Sequence, residues 1–385
     1  MIQINKKSEC CGCKACKNIC PKDCISMEID EEGFWYPKVD NEICIGCNMC
    51  EKVCPILQID KHTNTSKIDA YACKNKNEDV RVDSSSGGVF TKLSEYVISN
   101  GGLVFGVAYD NDLEVKHKSA DKLEDIKQFR GAKYVQSDIG STYKEAKKAL
   151  DEEKWVLFSA TPCQTFGLNN YLNKKYDKLI SVDIACHGVP SPLVYKLYKQ
   201  KLEKKYKSKL KDINFRSKST GWKNYSVNFK FENGKIVNQY RIDNTYMNGY
   251  LKDLYLRPSC YDCKFKKPNR VSDFTLADYW GVQHKHKEFD DDKGVSLILV
   301  NSDKANKIFD EIKDNFDILK TDYDYALKAN PSIIKPSTKN NDREVFFENI
   351  NKMDIIKNID KYSQDDLILR TKIKTARILN KIIKR

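Results

Sequence analysis

One cysteine pattern occurs twice within the first 54 residues: Cys10, Cys13, Cys16, Cys20-Pro21, then Cys44, Cys47, Cys50, Cys54-Pro55, each reading CxxCxxCxxxCP. The copies stay in register, 34 residues apart throughout. Few patterns restrict a fold so tightly. A cubane iron–sulfur core needs four converging thiolates. Two-residue spacers wrap three cysteines around one core, and the fourth, ahead of proline, turns toward the other. The crossing assigns Cys10, Cys13, Cys16 and Cys54 to one 4Fe-4S cluster, and Cys44, Cys47, Cys50 and Cys20 to a second. Zinc also uses CxxC pairs, but two four-cysteine runs each closed by Cys-Pro fit a tetrahedral zinc site poorly.

Residues 1–58 resemble the bacterial two-cluster ferredoxin fold, with every ligand position filled. At 385 residues the chain has room for two or three units. Ten of its fifteen cysteines fall in the first 54 residues, eight of them at cluster spacing, with no secretory leader ahead of them, so a reducing, cytoplasmic setting is expected. No apolar run approaches the roughly 20 residues that span a bilayer. The net charge of +13 comes from lysines interleaved with acids, without a nucleic-acid reading motif. A solvated lysine-rich surface, or docking of an acidic redox partner, accounts for it.

From residue 57 the chain turns polar, and 59–69 reads as a linker. A second unit is expected from 70 to 300. It opens with a short strand at Tyr71–Cys73, and Ser84-Ser85-Ser86-Gly87-Gly88 starts a helix whose apolar face is Val89, Phe90, Leu93, Tyr96 and Val97. Strands at 103–108, 155–159 and 179–184 alternate with helices at 143–152 and 192–205, and residues 213–243 switch to short antiparallel strands. The fold class is therefore α+β or α/β: a small two-cluster domain, then a mixed α/β domain with an antiparallel portion. Residues 301–385 are expected to be mostly helical, ending in an amphipathic basic helix at 363–385 that suits docking on its own domain, a partner subunit or an anionic membrane surface.

Four further cysteines stand at informative places: Cys163 and Cys186, each just past an expected strand, and the pair Cys260 and Cys263. Loops at the carboxyl ends of neighbouring strands face one crevice, which brings Cys163 and Cys186 together. Either alone reads equally as a small buried hydrophobe. The series SSSGGVFT (84–91), FRGAKYVQS (129–137), SATPCQ (159–164), ACHGVPSP (185–192), CYDCKF (260–265) and ADYWG (277–281) resembles the coenzyme F420 hydrogenase/dehydrogenase beta-subunit family, in order over about residues 70–300.

That resemblance implies an FAD-containing iron–sulfur flavoprotein with a third 4Fe-4S cluster on Cys163, Cys186, Cys260 and Cys263, passing electrons between clusters and an organic acceptor. Clusters move single electrons and hydride chemistry moves pairs, so a flavin is the natural converter. Ser84, Ser85, Ser86, Gly87 and Gly88 are the candidate pyrophosphate loop, because glycine admits close approach and the following helix offers free N–H groups. Arg130 and Lys133 are candidates for phosphate or an anionic flavin ring, Tyr134 for stacking, and Thr161 for a further cofactor contact. His187 and Asp278 are candidate proton donors. No strand leads into GxGxxG, which argues against a nucleotide fold of the Rossmann type.

The leading expectation is an oxidoreductase that draws electrons from ferredoxin or another redox protein and reduces a small organic substrate. The alternatives are F420:ferredoxin oxidoreduction and an electron-transfer subunit of a larger hydrogenase or dehydrogenase complex. Homo-oligomers remain compatible. Cys11, Cys24 and Cys73 read as packing residues, and His284 and His286 as an exposed loop.

Overall fold

The computed structural model describes residues 1–62 and 66–363. The expected amphipathic helix at 363–385 lies, beyond Ser363, outside the described residues.

The amino-terminal module holds two short helices, Ala15–Ile19 and Met49–Lys52, that place the cysteine runs, and one hairpin of β1 (Ile25–Ile29) and β2 (Trp35–Val39). Both helices start from left-handed residues, Lys14 (φ +59°) and Asn48 (φ +55°), at equivalent positions of the two repeats. The repeated sequence therefore repeats its backbone.

The chain then builds β3 (Asp69–Asn75), β4 (Leu103–Tyr109), β5 (Val115–Ala120), β6 (Val156–Ala160) and β7 (Leu179–Ile184), a separate antiparallel sheet of β8 (Leu210–Ser217), β9 (Ser226–Phe231) and β10 (Ile236–Tyr240), and finally β11 (Phe274–Asp278), β12 (Ser296–Val300) and β13 (Phe316–Thr321). Eight strands form one mixed sheet in the order β13-β3-β12-β11-β7-β6-β4-β5. Its centre is parallel: β4 with β6, β6 with β7, and β7 with β11.

Period-two alternation sends β6 side chains to two different cores. Val156, Phe158 and Ala160 pack under the helices Thr142–Asp151 and Pro162–Leu172, while Leu157 faces the side of Val89–Ser99 and Asp303–Ile312. All five residues of β12 are buried, as a strand covered on both faces requires. Helix starts follow local chemistry. Thr161 forms a capping box with Gln164 ahead of Pro162, and the Ser191 hydroxyl accepts from Val194 N ahead of Pro192.

The expected boundary at residue 300 falls inside this sheet. Strand β13 pairs with β3 along its whole length, so 316–321 completes the body rather than belonging to a separate helical region. Beyond it, the helices Arg343–Glu348 and Ile355–Ser363 pack on Pro192–Tyr206 and Thr245–Leu251 over the antiparallel sheet. Described linker residues are likewise docked. Lys61 and His62 bond Asn173 and Asn170, at the end of helix Pro162–Leu172, and Ile59 packs beneath that helix.

The module and the body share one core. Cys11, Cys13, Ala15 and Val53 are buried with Tyr143, Phe158, Phe166 and Phe265. Arg257, fully buried, donates to Cys10 O (2.7 Å), Trp35 O (2.8 Å) and Gln136 Oε1 (3.1 Å), while Arg343 clamps Glu32 at 2.5 and 2.7 Å. Lys14 reaches Asp138 at 2.6 Å. No helix among the described residues is long and apolar enough to cross a membrane.

Candidate cluster and cofactor site

The first cysteine set comes together in space. Cys13 lies near Cys16 and Cys54, Cys16 near Cys10 and Cys54, and Cys54 near Cys10. In the second set, Cys20, Cys44, Cys47 and Cys50 line a single small pocket, partly open to solvent. Cys24 lines it too, with its sulfur 3.3 Å from that of Cys20. Ile2 N donates to Cys50 Sγ (3.2 Å) and Gly12 N to Cys10 Sγ (3.4 Å), backbone bonds of the kind that stabilise ligated sulfur.

The remaining four candidates also converge. Cys163 opens helix Pro162–Leu172, Cys186 follows β7, and Cys260 and Cys263 sit on the loop after helix Thr245–Leu251. Cys186 lies near Cys163 and Cys263, and Cys260 near Cys186, Cys263 and Cys163. Burial pushes the Cys186 thiol up to about 12. A cationic metal core reverses that balance, because a coordinating thiol loses its proton outright. Lys266 and Arg270 stand beside the quartet, with charge opposite to that of a thiolate-ligated core. Among the described residues, no three His, Cys, Asp or Glu side chains close to the spacing of single-ion ligands. Thiolates around a cubane stand farther apart than those around one zinc, which bind at about 2.3 Å.

The flavin candidates lie at the same carboxyl edge of the sheet, but the structure redistributes their work. Ser84 Oγ donates to Val80 O and Ser86 Oγ to Val295 O, Ser85 Oγ accepts from Ala132 N, and Gly87 N donates to Ser296 Oγ. A Cβ on Gly87 would stand 2.1 Å from Cys73 O, so this glycine serves strand packing. Gly88, at φ +86°, supplies the turn into helix Val89–Ser99.

Lys133 does not reach outward for phosphate. Its amine donates to the carbonyls of Gln128, Arg130 and Gly131, and burial pushes its pKa down to about 7. Arg130 bonds Thr91 Oγ1 and faces Asp83. Tyr134 stands 4.8 Å from the Tyr250 ring. Thr161 is spent on its capping box and also lies 3.3 Å from Cys163 Sγ.

The two proton-donor candidates part company. Asp278 is held by Arg216 (2.9 Å) and by Trp222 Nε1 (3.0 Å), two buried side chains that fix its carboxyl group within the body. His187, half-buried, pairs its Nε2 with Asp253 Oδ1 at 2.5 Å and sets its ring edge-on against Tyr250.

Sequence reading passed over three residues here. Arg216 is buried over the Tyr225 ring (4.1 Å) and near Trp280 (5.2 Å), and its Nε and Nη2 meet no hydrogen-bond acceptor. Lys218 donates to Ser86 O and Arg81 O, and burial pushes its pKa down to about 7. Asp253 sits at φ +58°. The available signal was FRSK at 215–218, two basic residues at strand spacing.

Residues 153–324 match the family model for the C-terminal part of the coenzyme F420 hydrogenase/dehydrogenase beta subunit, and residues 9–57 match that of a 4Fe-4S dicluster domain. The chain thus carries a dicluster-domain match ahead of a match to the C-terminal part of such a beta subunit. A chain of the F420-reducing nickel–iron hydrogenase complex from Methanosarcina barkeri, solved with xenon, is similar at 15% identity and a TM-score of 0.44, covering 76% of this chain and 94% of that one. No curated protein matches. This beta-subunit relative is thus an iron–sulfur electron-transfer protein of the oxidoreductase type, with 4Fe-4S clusters in its dicluster domain.

Proposed function

We propose that the chain is an FAD and iron–sulfur oxidoreductase that takes single electrons from a ferredoxin or similar redox protein and delivers them to a small organic substrate. The observation that carries this reading is the convergence of Cys163, Cys186, Cys260 and Cys263 from three separate elements, in the same core as Cys13 of the first set and at the carboxyl edge of the sheet. Cys10, Cys13, Cys16 and Cys54 hold one cluster, Cys20, Cys44, Cys47 and Cys50 a second, and the later quartet a third.

The second set is the port for the donor. Cys47 is exposed, and Ile43, Ile45 and Met49 are exposed around it. The donor set suits FAD at the sheet edge. The backbone from Ser85 to the start of helix Val89–Ser99 suits the phosphates, and Arg216 with Tyr134 and Trp280 suits the ring. Bound FAD supplies the conversion between one-electron and two-electron chemistry. Tyr134 and Trp280 would flank the ring, and His187, its Nε2 held by Asp253, would carry the proton for the substrate at Nδ1.

A second reading, F420 as the organic acceptor, is favoured by the family model over 153–324. One anaerobic preparation tests both. Iron, sulfide and flavin are quantified together, and reduced protein is mixed with F420 or with a panel of other ring acceptors. About twelve irons with one FAD support the three-cluster flavoprotein. About eight irons without flavin reduce the chain to a two-cluster carrier, and oxidation by F420 alone selects the second reading.

A further inference from the structure

Arg216 carries a recognition edge that nothing among the described residues uses. It stands on β8, 5% exposed, and its Nη1 pairs with Asp278 Oδ2 at 2.9 Å. Its other two donor atoms, Nε and Nη2, meet no acceptor among the described residues. These two lie side by side on one edge of the planar guanidinium, the fork that binds two adjacent acceptor atoms at once.

The surroundings hold the fork in one orientation. Asp278 is itself fixed, because the fully buried Trp222 donates from Nε1 to its Oδ1 at 3.0 Å. The Tyr225 ring lies 4.1 Å from the guanidinium carbon and the Trp280 ring 5.2 Å, and Trp280 stacks on Trp222 with centroids 4.9 Å apart and 5° between planes. Aromatic faces attract the cation but are poor substitutes for an oxygen acceptor, so they steady Arg216 without satisfying its fork. A buried N–H that has lost its water and found no acceptor is costly, more so on a charged group, and native proteins keep few of them. Trp280 is only half-buried, so the aromatic cage reaches the surface on its side.

We propose that the Nε and Nη2 fork of Arg216 is a binding site for a planar group with two adjacent acceptor atoms, with Asp278 and Trp222 as its positioning residues. Two sources carry that chemistry: the ring nitrogen and carbonyl on the pyrimidine edge of a flavin, and the carboxylate of an aromatic or conjugated substrate. The first source rests on the ring placement given above. The second stands without it.

The test uses the full chain purified anaerobically as wild type, Arg216→Lys, Arg216→Gln and the exposed control Lys204→Gln. Arg216→Lys keeps a charge beside Asp278 and removes the fork. Iron and flavin per chain are counted first. If the wild type holds FAD, both Arg216 variants are expected to bind it about tenfold more weakly at equal iron, and Lys204→Gln to match the wild type. The infrared band of the flavin carbonyl C2=O, isotopically labelled, should then lie lower in the wild type than in free FAD. If the wild type holds no flavin and takes none up on titration, calorimetry is expected to show benzoate, with two adjacent acceptors, bound about tenfold more tightly than benzamide, with one. Arg216→Lys should lose that preference and Lys204→Gln keep it. The carbonyl band and the benzoate preference are both read on the wild type, so they decide the matter even where a variant fails to fold. Bound FAD with an unshifted carbonyl band, or with equal affinity in the Arg216 variants, overturns this inference and leaves the flavin reading standing. Flavin-free protein that prefers benzoate upholds the inference and sinks the flavin reading, and flavin-free protein without that preference sinks both.

Discussion

The two cysteine repeats share spacing, proline and backbone, but the molecule treats them oppositely. Around the first, Cys13 and Cys16 are buried and the surrounding residues belong to the core of the α/β body. Around the second, Cys47 is exposed and Ile43, Ile45 and Met49 lie open. Equal local sequence therefore produced an interior site and a surface site, and docking of the module decided which became which. A carrier needs both: one cluster within reach of a partner, another within reach of the next acceptor.

That contrast can be broken at several points. The largest effect is expected from the ligands themselves. Cys16→Ala should remove iron and lower thermal stability together, because its cluster sits in the shared seam, whereas Cys47→Ala should remove iron with little change in melting temperature. Equal melting shifts in the two variants would deny that the sites differ. Next comes the clamp between module and body. Arg343→Ala leaves the buried Glu32 carboxylate without its partner, at a cost of about 3–5 kcal/mol, read by denaturant unfolding. A cost near zero would mean the module is only loosely held.

Acid should act on the body side of the seam. His117 is buried against Phe158 with both ring nitrogens lacking partners, and burial pushes its pKa down to about 4 from 6.5. Between those values the unfolded chain carries a proton that the folded chain refuses, so stability falls as pH drops from about 6.5 to 4, by about 3 kcal/mol at most. In His117→Phe that part of the slope should disappear from the pH dependence of unfolding. The smallest effect belongs to the port. Ile45→Lys should raise the KM for a protein electron donor a few-fold, about the size of a rim charge effect, while leaving reduction by dithionite unchanged. An equal change with both reductants would place the fault in the cluster and not in docking.

Much of this was legible without coordinates. The doubled spacing singled out both cysteine sets, and strand-to-loop positions pointed to the meeting of Cys163 with Cys186, because a parallel sheet presents its carboxyl ends together. Leu179–Ile184 was readable to the residue because Leu179, Ile180, Val182 and Ile184 crowd strand-forming apolar residues into one strand length. Less readable were residues whose meaning is set by distant partners. Asp278 looks like any carboxylate until Arg216 and Trp222 close on it. Lys133 looks like a phosphate ligand until its amine turns back onto three carbonyls of its own loop. Strand β13 followed a helix and preceded helices, so nothing local announced that it would pair with β3, more than 240 residues earlier.

Sequence alone determined which cysteines are spaced for a cluster, because ligand spacing is a short-range property of the backbone. It likewise determined the strand-and-helix alternation, since hydrophobic period is written locally. Only the tertiary structure decided that one repeat faces inward and the other outward, that Asp253 pairs with His187, and that Cys163, Cys186, Cys260 and Cys263 converge. Those outcomes depend on burial and contact between segments far apart in the chain, and no window of neighbouring residues encodes them.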